Sequence, residues 1–159
     1  MSARIAAPAP WPPTSTALDA ETARHHRVRV TLIQLLSNAT PAGWFVTDSS
    51  TCTAGTTSVP LDIAVRADAG LHRLDIPVLC VDISGCPGTV EDRDVPRRQH
   101  SLASLGVDHY WNLNTASRTL EVYVRADNDY RHAETVTHRD WLDYSIGVVD
   151  IDLPQLLEV

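Results

Sequence analysis

The segment "IPVLCVDIS", residues 76–84, constrains the fold more than any other part of the chain. Its apolar residues follow one another almost without interruption, which is typical of a β-strand that is buried on both faces. Asp82 lies near the end of this run. An ionised carboxylate in such a place costs several kcal/mol unless something pairs with it or neutralises it. The sequence therefore raises the question of what compensates Asp82.

Two helices are predicted, one on each side of this strand along the chain. Apolar residues recur at helical spacing over residues 15–38, where Ser or Thr caps the start, and they predict the first helix. The second helix is predicted to begin near Pro96, which suits a first helical turn, with Asp94 as its cap. Gly106 marks its end.

The remaining segments are strand-like or irregular. The order of a helix, three strands, a helix and three strands predicts an α/β (α+β) fold with a central mixed sheet flanked by helices. Residues 1–17 are rich in Pro and Ala and are predicted to form an arm ahead of a single domain over residues 18–159. Pro154 can begin a last helical turn. The predicted strands are residues 43–48, 59–66, 76–84, 107–114, 118–127 and 129–138.

Composition excludes several classes of protein. The net charge is −7, so any contact with nucleic acid must be local and bridged by a metal ion rather than made by a basic surface. No apolar run is long enough for a membrane span, and four prolines interrupt the N-terminal region, so we expect neither a membrane nor a signal peptide and place the protein in the cytoplasm. The three cysteines are expected to be reduced thiols. All thirteen basic residues are arginine, so no lysine is available for chemistry.

Two acidic residues lie inside strand-like apolar runs, Asp62 in "VPLDIAV" and Asp82 in "LCVDIS". If the two strands are neighbours and the carboxylates share a face, they form an oxygen-rich site for Mg²⁺ or Mn²⁺. Such an ion polarises a phosphodiester and activates water to attack phosphorus. The alternative is that backbone N–H groups or an arginine compensate Asp82 and that it binds no metal.

The chain also resembles the Uma family of predicted restriction endonucleases (DUF820-like), which share the restriction-endonuclease-like fold and the PD-(D/E)xK motif. The resemblance covers roughly residues 24–157. Its most specific part is Gly106, Val107, Tyr110 and Trp111 at family spacing, followed by the strand "LEVYV". The other matching segments are "HHRVRVTLIQLL", "VPLDIAV", "VLCVDIS", "DVPRRQHSLASLGVDHYWNLN", "RTLEVYVR", "DNDY" and "VDIDLPQLL".

The resemblance implies a metal-dependent endonuclease and assigns roles to individual residues. Asp62 takes the place of the family's first metal-binding Asp, and Asp82 takes the place of its Glu. Arg98 stands where the family has Lys; it can hold a phosphate, but it cannot act as a base because a guanidinium stays protonated. His25 matches the histidine of the first helix, and Asp94 matches an acidic residue before the lysine position. Both are candidates to line the site.

The motif is thus degenerate, with Asp for Glu, Arg for Lys and Gly85 where a Ser is usual. The implied substrate is nucleic acid, more readily DNA than RNA, and the chain is compatible with a two-fold homodimer. A second hypothesis is a family member that keeps the fold but acts as a non-enzymatic binding or assembly protein. A thiol nucleophile at Cys86 beside His100 has little support, because the sequence offers no third group to orient it.

Overall fold

The computed structural model describes residues 15–68, 76–85 and 90–158, with the side chains of 15–19 and 90–93 outside this description. Most of the predicted arm and Cys86 therefore lie outside the described residues. The elements in chain order are α1 (Ser15–Ala39), β1 (Trp44–Ala54), β2 (Thr57–Ala67), β3 (Leu79–Ser84), α2 (Val90–Leu105), β4 (His109–Asn114), β5 (Thr119–Ala126), β6 (Asp129–Val136), β7 (Arg139–Asp143), β8 (Val148–Asp152) and α3 (Leu153–Leu157).

The first six strands form one sheet in sequential order, from β1 at one edge to β6 at the other. Neighbours pair antiparallel except β3 and β4, which run parallel because α2 carries the chain back between them. The predicted central mixed sheet with flanking helices is therefore confirmed. Within the described residues, neither α1 nor any other helix combines the length and apolarity needed to cross a membrane.

Strand β3 lies between two apolar cores, because its successive side chains point to opposite faces of the sheet. Val81 and Ile83 share one core with Val28, Leu32 and other residues of α1. Cys80 shares the second core with residues of α2 and β4 such as Leu102 and Tyr110. All six residues of β3 are buried, which confirms the prediction made for this segment. The two described cysteines, Cys52 and Cys80, are both buried in the second core.

One local prediction was wrong, and one element was not predicted. Helix α2 begins at Val90 and contains Pro96 inside it, so Asp94 lies within the helix instead of capping it. A proline near a helix start is compatible with more than one position in the first turns, so its presence did not fix the start. The element not predicted is the β7–β8 hairpin, which forms a separate two-stranded sheet and packs on the α1 core. Its two strands are only five residues each.

The chain ends as predicted, with a helical turn around Pro154. Pro154 occupies the first turn of α3, and the Asp152 Oδ1 carboxylate oxygen accepts a hydrogen bond of 3.1 Å from the backbone N–H of Gln155. Three leucines of α3 are buried against the α1 core. This turn therefore closes the same face of the sheet that α1 covers.

Candidate active site

A cleft of about 270 Å³ opens where β2 and β3 separate, on the side of the sheet that α2 covers. Asp62 and Asp82 both line it, and so does Arg98 from α2. Tyr110 and Asn112 contribute from β4. The structure thus brings together the three residues that the sequence analysis placed in the catalytic centre.

The strand register explains why the two carboxylates meet. Ile63 pairs with Val81 in the antiparallel ladder between β2 and β3, so the next position in each strand holds Asp62 and Asp82. Residues opposite each other in such a ladder point to the same face. The ladder pairing ends here, and the backbone N–H of Ile83 donates instead to the Asp62 Oδ2 carboxylate oxygen at 2.7 Å. Asp62 is thereby fixed at the point where the strands separate.

Asp82 is compensated by two side chains. The Arg98 guanidinium binds it through both oxygens, with Nε donating to Oδ2 at 2.9 Å and Nη2 donating to Oδ1 at 2.8 Å. The Tyr110 hydroxyl donates to Oδ2 at 3.0 Å. Asp82 is only 9% exposed, so this paired arrangement is what makes its burial tolerable. Arg98 Nη2 also donates to the backbone carbonyl oxygen of Pro60 at 2.5 Å, which ties α2 to β2.

The two carboxylates differ in their proton affinity. Burial raises the pKa of Asp82, and the proximity of Asp62 adds to this, while Arg98 and Tyr110 oppose it. Burial acts in the same direction on Asp62, but the nearby imidazole of His25, the hydrogen bond from the backbone N–H of Ile83 and the positive charge of Arg29 outweigh it and lower the pKa of Asp62. Asp62 is thus the more readily ionised of the pair. Burial and the carboxylate of Asp82 raise the pKa of Tyr110, so its hydroxyl stays protonated and donates.

The two residues proposed to line the site are placed differently. His25 lies in the first half of α1, and its Nε2 atom is 3.8 Å from the Asp62 Oδ1 atom, so it reaches the site through that carboxylate. Asp94 is half-buried on α2 but does not line the cleft. His25 therefore contacts the site, and Asp94 does not.

Sequence reasoning did not assign a role to Tyr110 beyond its place in the family-like motif. Tyr110 pairs with Cys80 in the parallel ladder, so it lies two residues from Asp82 on the same face. Only the register of β3 and β4 reveals this contact, and the register cannot be read from spacing along the chain. The hydroxyl of Ser84 similarly donates to the Asn112 Oδ1 atom at 3.0 Å on the cleft wall.

The donor set fits a small divalent cation, although part of it is already in use. Asp62 and Asp82 offer hard oxygens in one cleft, and Mg²⁺ needs only one or two carboxylates with water and phosphate oxygens completing its shell. Asp82 has three of its roughly four acceptor positions filled by Arg98 and Tyr110. Within the described residues, no group of three or more His, Cys, Asp or Glu side chains could hold a metal ion. Any cation here would depend on these two aspartates.

Comparison with known proteins identifies the fold. The structure is similar to the crystal structure of a "putative nuclease belonging to DUF820" from Anabaena variabilis ATCC 29413, with a TM-score of 0.67 over 94% of this chain and 83% of that chain. The sequences are 13% identical, so this similarity is one of fold. It confirms the predicted restriction-endonuclease-like fold and the resemblance to DUF820-like proteins at that level. No protein-family model matches the sequence, and no curated protein is significantly similar to it.

Proposed function

We propose that this protein is a divalent-metal-dependent nuclease that hydrolyses phosphodiester bonds in nucleic acid, most readily DNA. The observation that carries the proposal is the convergence of Asp62, Asp82 and Arg98 in one cleft. Two carboxylates and a guanidinium form a site that can accept a cation and a phosphate side by side. The protein of similar structure from Anabaena variabilis is described as a "putative nuclease", which agrees with this assignment.

Each residue has a role that follows from its contacts. Asp62 and Asp82 would hold Mg²⁺ or Mn²⁺, and the cation would supply Lewis acidity to the phosphodiester and make water a stronger nucleophile. Arg98 would donate its planar pair of N–H groups to the non-bridging phosphate oxygens and stabilise the negative charge that develops there. Tyr110 orients Asp82 through its hydroxyl, and His25 keeps Asp62 ionised.

The test is a cleavage assay on plasmid DNA and on single-stranded DNA, with Mg²⁺ or Mn²⁺ and with EDTA. The wild-type chain should cleave only with the divalent ion. Asp62→Asn and Asp82→Asn, which keep the side-chain shape but remove the charge, should each lower the rate at least about 100-fold. Asp140→Asn is the matched control, because Asp140 is exposed and its bond to the Trp141 backbone N–H survives the substitution. Equal cleavage by all variants would assign the activity to a contaminant.

A second function, binding of nucleic acid or another partner without hydrolysis, is favoured by one observation. Arg98 and Tyr110 already satisfy Asp82, so the buried carboxylate is accounted for without a cation. A protein of this kind would bind DNA in the presence of the divalent ion without cleaving it. An assay that shows binding by gel shift, with no product after prolonged incubation in Mn²⁺, would select this function over the first.

A further inference from the structure

The ion pair between Arg98 and Asp82 couples the two ligands that the proposed function requires. Arg98 faces Asp82 with the same planar pair of N–H groups that a phosphate would need. Asp82 in turn gives Arg98 the oxygens that a cation would need. In the described structure the two residues therefore occupy each other's ligand positions.

Both partners are largely withdrawn from solvent. The side chain of Asp82 is 13% exposed and that of Arg98 is 17% exposed. If a cation alone drew Asp82 away, Arg98 would lose the buried carboxylate that it binds through two hydrogen bonds, and a phosphate alone would likewise take Arg98 from Asp82. When a cation and a phosphate bind together, each buried charge exchanges one partner for another of the same sign. Simultaneous binding thus avoids the penalty that either ligand meets alone.

We infer that Arg98 acts as an exchangeable clamp, so that a divalent cation and a phosphodiester bind this cleft cooperatively and each only weakly alone. The inference rests on the proposed function, because it concerns the same site and the same cation. It adds a binding order that the site chemistry alone does not require. Arg98 occupies the carboxylate oxygens of Asp82 until a phosphodiester binds Arg98 in its place. The oxygens of Asp82 then become available to the cation when substrate is bound.

Other parts of the contact pattern fit this exchange. Arg98 belongs to α2, whereas Asp82 belongs to β3, so the guanidinium can turn toward the cleft without a change in strand pairing, although it would also give up its bond to the Pro60 carbonyl oxygen. Tyr110 still donates to Asp82 Oδ2 when Arg98 leaves, so the released carboxylate keeps one hydrogen bond. Asp62, which is held by Ile83 and His25 and not by Arg98, provides a fixed first oxygen donor in either state.

The experiment measures binding of Mn²⁺ to the full chain, without any cleavage step in the readout. The electron paramagnetic resonance signal of free Mn²⁺ reports the bound fraction during a titration with and without TpT, a dinucleotide with a single phosphodiester. A titration of Mn²⁺ into TpT alone corrects for binding to the dinucleotide, and chromatography afterwards verifies that TpT is intact. We expect saturating TpT to increase the Mn²⁺ affinity on the order of tenfold or more, and Mn²⁺ to increase the TpT affinity by the same factor.

Two variants separate the clamp from a general effect of charge. Arg98→Gln removes the exchangeable partner, so the Mn²⁺ affinities measured with and without TpT should differ by no more than about twofold. Arg97→Gln removes the same charge from the exposed neighbouring position and should keep the wild-type coupling. If Arg98→Gln does not fold, Arg98→Lys serves instead, because a single ammonium cannot replace the two parallel bonds and should weaken the coupling.

The outcomes distinguish the inference from the proposed function. Mn²⁺ that binds the wild type tightly and equally with and without TpT, and is lost in Asp62→Asn, would overturn the clamp and leave the metal-dependent nuclease in place. Failure to bind Mn²⁺ under either condition would overturn both. If Mn²⁺ and TpT still bind cooperatively to Arg98→Gln, the inference is also contradicted, because the coupling free energy would then come from other residues.

Discussion

Asp82 is an acidic residue in the most buried strand of the molecule, and Arg98 and Tyr110 hold it there. The sequence posed two explanations for it, a metal ion or a pairing arginine. The structure supplies the arginine, at the position where the resemblance placed a phosphate-binding residue. The same contact therefore explains why the buried carboxylate of Asp82 is tolerated. It is also the contact that would have to break before a cation could bind Asp82.

The first prediction concerns the stability of this pair. Arg98→Gln should lower the free energy of unfolding by about 3 kcal/mol near pH 7, because it leaves Asp82 buried without its counter-charge. Arg97→Gln, at the exposed neighbouring position, should change it by less than about 0.5 kcal/mol. Urea unfolding of the three proteins measures the difference.

The pH dependence of this penalty has a definite sign. Burial already raises the pKa of Asp82, and loss of Arg98 removes the main opposing influence, so its pKa in the folded variant should rise further. A group with a raised folded pKa contributes stability below its unfolded pKa of about 3.9 and loses it as the pH rises through the folded value. The penalty of Arg98→Gln should therefore shrink as the pH falls from 7 toward 4. A penalty that is small or independent of pH would contradict the pairing.

The second prediction concerns Asp62, whose pKa is lowered although burial acts to raise it. His25→Ala should raise the pKa of Asp62, because it removes the imidazole 3.8 Å from the carboxylate, which is positively charged at the acidic pH where Asp62 titrates, while the burial remains. A lowered folded pKa gives stability that is present above the unfolded pKa and is lost as the pH falls through the folded value. In the variant that loss should therefore begin at a higher pH. Carboxyl ¹³C NMR titration measures the pKa, and His138→Ala, at an exposed position, is the control.

At the scale of the elements, helices and strands with a regular apolar pattern could be predicted from the sequence, and short strands without one could not. Helical spacing of Val28, Leu32 and Leu36 predicted α1, and all three are buried. The continuous apolar run predicted β3. The β7–β8 hairpin was missed because its strands are only five residues each: β7 has a single buried residue, Leu142, and the short alternation of β8 leads directly into the helical turn at Pro154.

One departure from the family-like pattern, Gly85, has a structural explanation. It follows β3 with a φ of +140°, and a Cβ atom there would lie 2.0 Å from the Thr115 Oγ1 atom and 2.9 Å from the Ala116 backbone nitrogen. Thr115 also donates two hydrogen bonds to the Ser84 carbonyl oxygen at the end of the strand. A side chain at position 85 would therefore displace the turn that ends β3.

The third prediction follows from this crowding. Gly85→Ala should destabilise the fold by at least about 2 kcal/mol, since backbone strain and overpacking act together. Gly55→Ala is the matched control, because Gly55 has a φ of +58° but open space around it, and it should cost only about 1 kcal/mol. Thermal or urea unfolding compares them. Similar costs for both variants would mean that the turn after β3 relaxes around the added atom.

At the scale of the whole molecule, the net charge of −7 argues against a broad basic binding surface, so the proposed contact with nucleic acid would be local. Among the described residues, the cleft is lined by one guanidinium, that of Arg98, and by the carboxylates of Asp62 and Asp82. Binding should therefore depend on the divalent cation and involve few phosphate contacts.

The fourth prediction is a shallow salt dependence. With one phosphate held by Arg98, the slope of log K against log salt for DNA binding in the presence of Mn²⁺ should be about −1. Fluorescence anisotropy with a labelled oligonucleotide between 50 and 200 mM KCl measures it, with Arg98→Gln as the comparison. A slope steeper than about −3 would indicate a basic surface that the composition argues against.

The residues of the candidate site could be identified from the sequence, but their contacts with one another could not be predicted from it. Asp62, Asp82 and Arg98 were identified because charged residues in apolar strands and the family-like motif stand out. Their contacts depend on the antiparallel register that opposes the two aspartates and on the crossover that places α2 over that face of the sheet. Neither is encoded in local spacing, so the ion pair of Arg98 with Asp82 and the hydrogen bond from Tyr110 became visible only in three dimensions.

The most direct test of the central claim is to locate the cation. Crystals of the full chain grown with Mn²⁺ and TpT give an anomalous difference map that shows manganese independently of the surrounding atoms. The account predicts a peak between Asp62 and Asp82, a little over 2 Å from a carboxylate oxygen of each, with Arg98 turned to the phosphodiester. A map without a peak in this cleft, with the Arg98–Asp82 pair intact beside bound TpT, would contradict it.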